Sequence, residues 1–531
     1  MKPIQDAKSS SLEERSPSKA QGISMAQGRT KAIALGALCL TTFMTNCDSN
    51  VVEVALPQFQ SSLGVDMSGL PWILNAYNLP VVSLLLTSGT LSDTYGRKRV
   101  FLTGMLLFVI ASVICGFSPN LGILLTGRTL QGMGAAVLIP LSLTLLTFIF
   151  PDPAERAKAI GVWAAISGLA LVVGPVLGGF LIDTFGWQSI FFVNIPLGVL
   201  AFRMTADAVE EVSSPDQPQL DWPGLGFSII LLASLTCLLT EASTGEWLSP
   251  RVLWLLGVTS LSFVGFLRVE SRSHHPMLPL QLFRNSTFTI ANTIPVLVFF
   301  ASNSLVFIFS LFLQQMKGYS VAGTGFLFLP MNISIILASF VSGWVAAQLG
   351  WRFPCMSGLT LASVSVFALT QIDLDADYQN ILWNLVIAGF GGGLTISPLA
   401  AAAMNSVRQI QEGIASSVFN TSIYLGSILG ISLQGTIFSL QLTSELKQSL
   451  SALDLPEDLQ DRIITDALHN LAKVPNNLPD TLSPLALQQA IQQAFVGGVH
   501  TMLFVAGLAL SAGVGLILYF MLPKLKPRSL L

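Results

Sequence analysis

Charge is what this sequence has least of. Asp, Glu, Lys and Arg make up 10% of its 531 residues, against roughly 25% in soluble domains, whereas apolar residues make up 52%. A net charge of −3 leaves no electrostatic case for nucleic acid as a partner. The five cysteines, at 39, 47, 115, 237 and 355, lie in apolar stretches with no paired spacing and no histidine beside them. They read as small core residues rather than disulfides or metal ligands. No GxxxxGK[ST] loop occurs, so ATP is not the expected energy source. Residues 1–30 are polar, carry both charge signs and lack the apolar core of a signal peptide. They are expected to form a disordered cytoplasmic tail, in which Met25 could serve as an alternative start.

What is present is a succession of long apolar segments. A hydrocarbon core of about 30 Å takes roughly 20 apolar residues per helix. On that ruler fourteen spans are predicted, near 32–56, 71–91, 99–117, 121–148, 157–182, 187–206, 222–242, 251–269, 287–313, 322–347, 353–372, 379–404, 413–441 and 497–522. Charge placement tests the count. With the N-terminus inside, Arg251, Lys317, Lys447, Arg462 and Lys473 fall outside, Arg128 falls within a span, and the other twenty of 26 cations are cytoplasmic. The positive-inside rule expects that asymmetry, and a miscount by one helix would destroy it. Both termini are therefore placed in the cytoplasm, in a multi-pass cell (inner or plasma) membrane protein. The external loop 443–496 holds amphipathic, helix-like runs too short and polar to span.

The chain also repeats itself. Gly89 and Gly96 correspond to Gly343 and Gly350, Gly132 and Gly134 to Gly389 and Gly391, and Gly174 and Gly178 to Gly426 and Gly430. Duplicated halves are the mark of secondary transporters, which rock two bundles around a midplane site. The expected organisation is a six-helix bundle over 31–206, two inserted helices with linkers over 207–286, a second six-helix bundle over 287–522, and a tail at 523–531. In the second copy Asp93 becomes Ala347 and Arg128 becomes Leu385, so proton chemistry is expected in the first half.

Two runs carry a resemblance. GTLSDTYGRKR at 89–99 is similar to the cytoplasmic-loop motif of the major facilitator superfamily, and GPVLGG at 174–179 to its antiporter motif. Six plus two plus six helices is the layout of the fourteen-helix drug:proton antiporters in that superfamily. The resemblance implies an all-α membrane protein of the major facilitator fold, with no enzymatic activity, cofactor or metal. It implies proton-coupled export of small lipophilic or cationic compounds (multidrug efflux) by alternating access. The partners would be a small-molecule substrate, protons and the bilayer; in a Gram-negative cell a periplasmic adaptor could be added. A dedicated exporter of one metabolite, such as a siderophore or antibiotic, and a non-transporting sensor on the same fold remain open alternatives.

Asp48 leads the candidates for chemistry. It lies about sixteen residues, or roughly 24 Å, into the first span, where a carboxylate is costly to keep and functional by default. Its surroundings, CDSNVVEVALP, resemble the family's first-helix motif, with Asn50 in place of a common Thr and Glu53 in place of a common Asn. Glu53 could be a second protonatable site, a contact for a cationic substrate, or a carboxylate solvated at the outer mouth. Arg128, in LLTGRTLQGMGAA, resembles the fourth-helix motif and lies at a depth compatible with Asp48. An arginine beside a carboxylate favours its charged form, and withdrawing the arginine lets it take a proton. A fixed structural pair, or an Asp48 that only caps a helix end, is the alternative.

Asp93, with Gly89, Gly96, Arg97, Lys98 and Arg99, is assigned to gating and topology. The two glycines are expected to permit close helix approach and a sharp turn. By resemblance, Asp93 would meet the start of the thirteenth span near Gln411–Gly413, with Arg408 close by. Gly174, Pro175, Gly178 and Gly179 form the antiporter motif, in which Pro175 must bend or loosen its helix. Trp72, Asn75, Tyr77, Asn303, Asn420 and Tyr424 are the expected substrate-cavity residues, with Phe299 and Phe300 beside them.

Overall fold

The computed structural model describes residues 17–66, 69–211, 221–242, 248–273, 276–278, 280–373, 378–407, 412–451, 457–469 and 484–521. Among these the regular structure is helical, with no strand. The first half comprises α1 (Pro17–Leu63), α2 (Leu70–Tyr95), α3 (Arg97–Gly116), α4 (Leu121–Ile149), α5 (Pro153–Phe185), the short α6 (Ser189–Phe192) and α7 (Asn194–Ala208). Next come α8 (Trp222–Ala242) and α9 (Pro250–Arg272). The second half comprises α10 (Ser286–Leu311, continued by a π-helical turn Phe312–Met316), α11 (Val321–Leu349), α12 (Arg352–Leu369), α13 (Tyr378–Asn405), α14 (Glu412–Ser451), α15 (Glu457–His469) and α16 (Pro484–Met521).

Local chemistry sets the ends. Asn120, Asp152, Ser249 and Ser320 each accept a backbone N–H of the first turn of the helix they precede, and Pro153 and Pro250 occupy first helical positions. Gly96, Gly186 and Gly350 close α2, α5 and α11 at φ of 96°, 83° and 80°. Twelve described helices are long and apolar enough to cross a bilayer, α6 and α7 counting together. The first two predicted spans are not among the twelve. Polar Asn46, Asp48, Asn50 and Glu53 interrupt α1, and the apolar stretch of α2 is the shorter Leu70–Leu85.

Within the first half α1 packs on α4, α5 and α7, α2 on α4, and α3 on α4 and α7. The second half repeats the scheme, with α10 on α14 and α16, α11 on α13, and α12 on α13 and α16. The halves join along α5–α11, α2–α14 and α1–α10, while α8 and α9 pair with each other and α8 leans on α2 and α14. Glycines hold both halves together in the same way. A side-chain carbon on Gly132 would strike the Tyr77 carbonyl, and one on Gly389 the Met331 carbonyl. Gly134 is pressed on the Gly104 carbonyl, and Gly391 on the Gly358 carbonyl. Gly178 meets Val51 where Gly430 meets Phe300, which sets Leu297 opposite Asp48 in the register of the repeat.

Several extents differ from expectation. α1, α14 and α16 run well beyond their apolar cores, because hydropathy marks the hydrocarbon crossing and not the end of hydrogen bonding. Much of 443–496 is helix: the end of α14, α15 and the start of α16. The sixth span breaks at Val193, giving α6 and α7. Gly89 does not mediate a close approach. A side-chain carbon there would meet nothing within 4 Å, as at its counterpart Gly343, because both positions face open space.

Candidate transport site

α1 presents Asp48 and Glu53 to different surroundings. Five residues at 100° each place the two carboxylates about 140° apart around the helix. Asp48 turns into the first half, where its side chain is fully buried beside an equally buried Arg128. Arg128 donates from Nη1 to Asp48 Oδ2 at 2.5 Å and to Gln131 Oε1 at 2.9 Å. Asn194 Nδ2 and Gln131 Nε2 donate to Asp48 Oδ1 at 2.7 and 3.2 Å. Gln131 also donates to Ser112 Oγ at 2.8 Å, and the guanidinium lies 4.4 Å from the centre of the Tyr77 ring. The carboxylate is thus fully partnered by α4 and α7. Such a pair is expensive to desolvate, and removing one member strands the other charge.

Glu53 turns the other way, into a cavity of about 260 Å³ between the halves. Asn50, Asn303 and Asn332 supply amides to its lining, and Phe299, Phe328 and Met331 supply apolar surface. Pro175 of α5 also lines it; Asp48 and Arg128 do not. The cavity is therefore a small, mostly apolar site with a few convergent polar groups, close to the size of small-molecule pockets.

Pro175 shapes that wall through a missing bond. Proline has no N–H, so the Leu171 carbonyl one turn earlier loses its partner within the helix. Asn332 of α11 donates its side-chain amide to that carbonyl at 2.9 Å, across the boundary between the halves. Nearer the α15 end the contact tightens. A side-chain carbon on Gly179 would strike the backbone of Ala322, and one on Gly325 the Pro175 carbonyl. Asp183 accepts from the N–H groups of Ala322 and Val321, at 3.0 and 3.3 Å, at the start of α11. Gln314 and Gln315 extend the join, donating to the Val54 carbonyl at 2.9 Å and to Gln60 Oε1 at 2.5 Å.

Residues 38–431 match the Major Facilitator Superfamily. The chain belongs to that superfamily. It is 31% identical over 486 residues to multidrug resistance protein Stp of Mycobacterium tuberculosis (strain CDC 1551 / Oshkosh), a match covering 90% of each chain. It is also 31% identical over 411 residues to a methylenomycin A resistance protein of Bacillus subtilis (strain 168), covering 76% of this chain and 87% of the relative. Among solved structures, the inward-facing, unoccupied bacterial homologue of the human lysosomal transporter Spinster shares the fold. That likeness has a TM-score of 0.62 and 16% identity, covering 92% of this chain and 98% of the other.

The superfamily's motif residues occupy distinct places. In the hairpin, Gly96 makes the turn, Arg97 lies 4.0 Å from the Phe148 ring centre, and Lys98 Nζ donates to the Ala206 carbonyl at 2.7 Å. Glu211 accepts from the backbone N–H of Lys98 and Arg99, at 3.0 and 3.1 Å, at the start of α3. The Asp93 side chain and residues 408–411 lie outside what the structure describes. Of the six expected cavity residues, Asn303 alone lines the cavity. Tyr77 packs on Arg128, Asn75 donates to Ser432 Oγ at 2.7 Å across α2–α14, and Trp72 borders a separate pocket with Glu241 and Trp254. Asn420 donates to its own helix at Ser416, and Tyr424 packs on the core of the first half. Asn194, Asn332 and Glu211 went unidentified. A lone Asn in an apolar helix was the available signal for the first two.

Proposed function

We propose that this superfamily member exports small lipophilic or cationic compounds across a membrane in exchange for protons, by alternating access. The observation that carries the reading is the buried Asp48–Arg128 pair, set in one half only and one helix away from a cavity between the halves. A proton taken by Asp48 would neutralise the carboxylate and release Arg128, giving the first half two electrostatic states. A difference in α5–α11 packing between those two states would let protonation bias which face of the cavity is open. The multidrug and antibiotic resistance names of the relatives support export as the direction.

With α1 and α2 added to the twelve apolar spans, the chain would cross the membrane fourteen times. The hairpin at Gly96 and both termini would then lie in the cytoplasm, and α15 outside, as the distribution of Lys and Arg requires. A cysteine introduced at Ser451 should then react with an impermeant reagent in intact cells, and one at Ser529 only after permeabilisation. The reverse pattern would invert the map. Transport is tested in proteoliposomes carrying an imposed pH gradient. Efflux of ethidium that follows the gradient and collapses with a protonophore is expected; efflux indifferent to the gradient would refute proton coupling.

A further inference from the structure

The inserted hairpin ends in two buried carboxylates that transport leaves unused. Asp221 precedes α8 and Glu270 lies in the last turn of α9, and the two residues are 9% and 3% exposed. Each spends one oxygen on the backbone. Asp221 Oδ1 accepts from the Gly224 N–H at 2.9 Å, and Glu270 Oε2 from the Leu278 N–H at 3.0 Å. The other oxygen of each, Asp221 Oδ2 and Glu270 Oε1, has no hydrogen-bond or ion-pair partner among the described residues. Both face one small space. They lie 2.9 and 3.0 Å from where a side-chain carbon on Gly224 would stand, so the missing side chain keeps that space open.

We propose that Asp221 and Glu270 hold a hydrated divalent cation of the Mg²⁺ class beside Gly224, at the linker end of the α8–α9 hairpin. A buried acceptor without a donor is costly, and two facing carboxylates repel; one divalent cation between them answers both. No third His, Cys, Asp or Glu joins them among the described residues. The donor set there is two hard oxygens, not the closed set of a structural zinc site, and it suits a cation that takes one or two carboxylates and keeps water in its shell. The negative end of α9 adds to the attraction. The site clamps three pieces of chain: the start of α8, the end of α9 and the linker at Leu278. Next to Leu278, Met277 Sδ accepts from Thr87 Oγ1 of α2 at 3.6 Å. The cation thereby fixes the inserted hairpin to the linker that leads into the second half. Neither carboxylate lines the cavity, so the site does not depend on what is transported or in which direction.

The test uses purified full-length protein in detergent, stripped with a chelator, and Mn²⁺ as the probe, because coordination broadens away the EPR signal of free Mn²⁺. About one Mn²⁺ should bind per chain and be displaced by excess Mg²⁺. Mg²⁺ should also raise the unfolding temperature of the stripped protein. Asp221→Asn and Glu270→Gln should each weaken Mn²⁺ binding at least about tenfold, and Glu270→Asp should retain more of it than Glu270→Gln. Gly224→Ala keeps both carboxylates and favours helix in the first turn of α8, yet its methyl group fills the space. It should lose Mn²⁺ binding and the effect of Mg²⁺ on unfolding. Mn²⁺ binding that persists in the Asp221→Asn, Glu270→Gln double variant would place the metal elsewhere and overturn the site. So would a monodisperse wild-type protein that binds no Mn²⁺ and unfolds at the same temperature with and without Mg²⁺, the result expected if the two oxygens share a proton.

Discussion

The two halves share their glycines and differ in their charges. Gly132 and Gly134 touch the backbones of α2 and α3 as Gly389 and Gly391 touch those of α11 and α12. Close helix packing is thus the same problem solved twice. Where the first half holds Asp48 and Arg128, the same register holds Leu297 and Leu385, and where it has Pro175 the second half has Ser427. A duplicated bundle needs its small residues in both copies to form at all. At these registers charge and the α5 proline belong to one copy alone, although α10, α11 and α13 of the other carry prolines of their own, Pro295, Pro330 and Pro398.

The largest effect should come from making the first half imitate the second. Arg128→Leu strands a buried carboxylate and should cost about 3–5 kcal/mol. Asp48→Leu combined with Arg128→Leu removes both charges and should recover most of that stability, because a well-packed apolar pair replaces a desolvated ionic one. Neither variant should carry out gradient-driven efflux. Thermal unfolding in detergent and transport in proteoliposomes check the two halves of the claim. A double variant no more stable than Arg128→Leu would mean that Gln131 and Asn194, and not the lone charge, dominate the cost.

The glycines should behave symmetrically. Gly134→Val and Gly391→Val each force a branched side chain against a neighbouring backbone carbonyl, an overpacking that should cost about 3 kcal/mol in either half. Near-equal losses of unfolding temperature are expected. A loss confined to the first half would show that the second bundle tolerates looser packing than the repeat implies.

Pro175 sharpens the contrast more finely. Asn332→Ala leaves the Leu171 carbonyl without a donor and should cost about 1–2 kcal/mol in the state with this join closed. In a Pro175→Ala background residue 175 regains an N–H, the carbonyl is satisfied within α5, and Asn332→Ala should cost little. Spin labels at exposed Phe185 and Tyr319 would report the separation across the α15 face. Asn332→Ala should lengthen it when Pro175 is present and leave it unchanged in the Pro175→Ala background. Equal lengthening in both would detach Asn332 from the proline.

How much of this was legible in the sequence depends on the kind of signal. Apolar length marked the spans, and charge interrupting that length marked Asp48 and Arg128, whose helical depths bring them level. The repeat was legible at Gly132, Gly134, Gly389 and Gly391 because glycines in tight contact cannot drift, and at Gly96 and Gly350 because both turns take a positive φ; Gly89 and Gly343 repeat with no such contact. Rotation of one helix against another was not legible, which is why Trp72, Asn75, Tyr77, Asn420 and Tyr424 lie away from the cavity that Asn303 lines. A side chain's helical face follows from its position, but the neighbour behind that face follows from packing. Asn332 escaped notice for the same reason: its partner is a carbonyl created by a proline on another helix. Glu211 was hidden by distance, lying more than one hundred residues from the hairpin it caps.

The smallest effect expected is also the most direct comparison of the halves. Gly96 and Gly350 end α2 and α11 at positive φ, with ψ of 130° and 159°, a conformation that a side chain strains. Alanine at either position should cost about 1 kcal/mol from the backbone alone. At Gly350 nothing else happens, because a side-chain carbon there meets no atom within 4 Å. At Gly96 the same carbon would press on the Glu211 carboxylate, which accepts the backbone N–H of Lys98 and Arg99 at the start of α3. Gly96→Ala should therefore cost about 1 kcal/mol more than Gly350→Ala, the worth of a helix cap with its dipole interaction. Glu211→Gln keeps one of the two accepting oxygens and removes the charge, so in that background the cap is already weakened and the difference between Gly96→Ala and Gly350→Ala should shrink. Equal losses at Gly96 and Gly350 would mean that Glu211 relaxes without penalty, leaving the basic hairpin no better anchored than its faded copy.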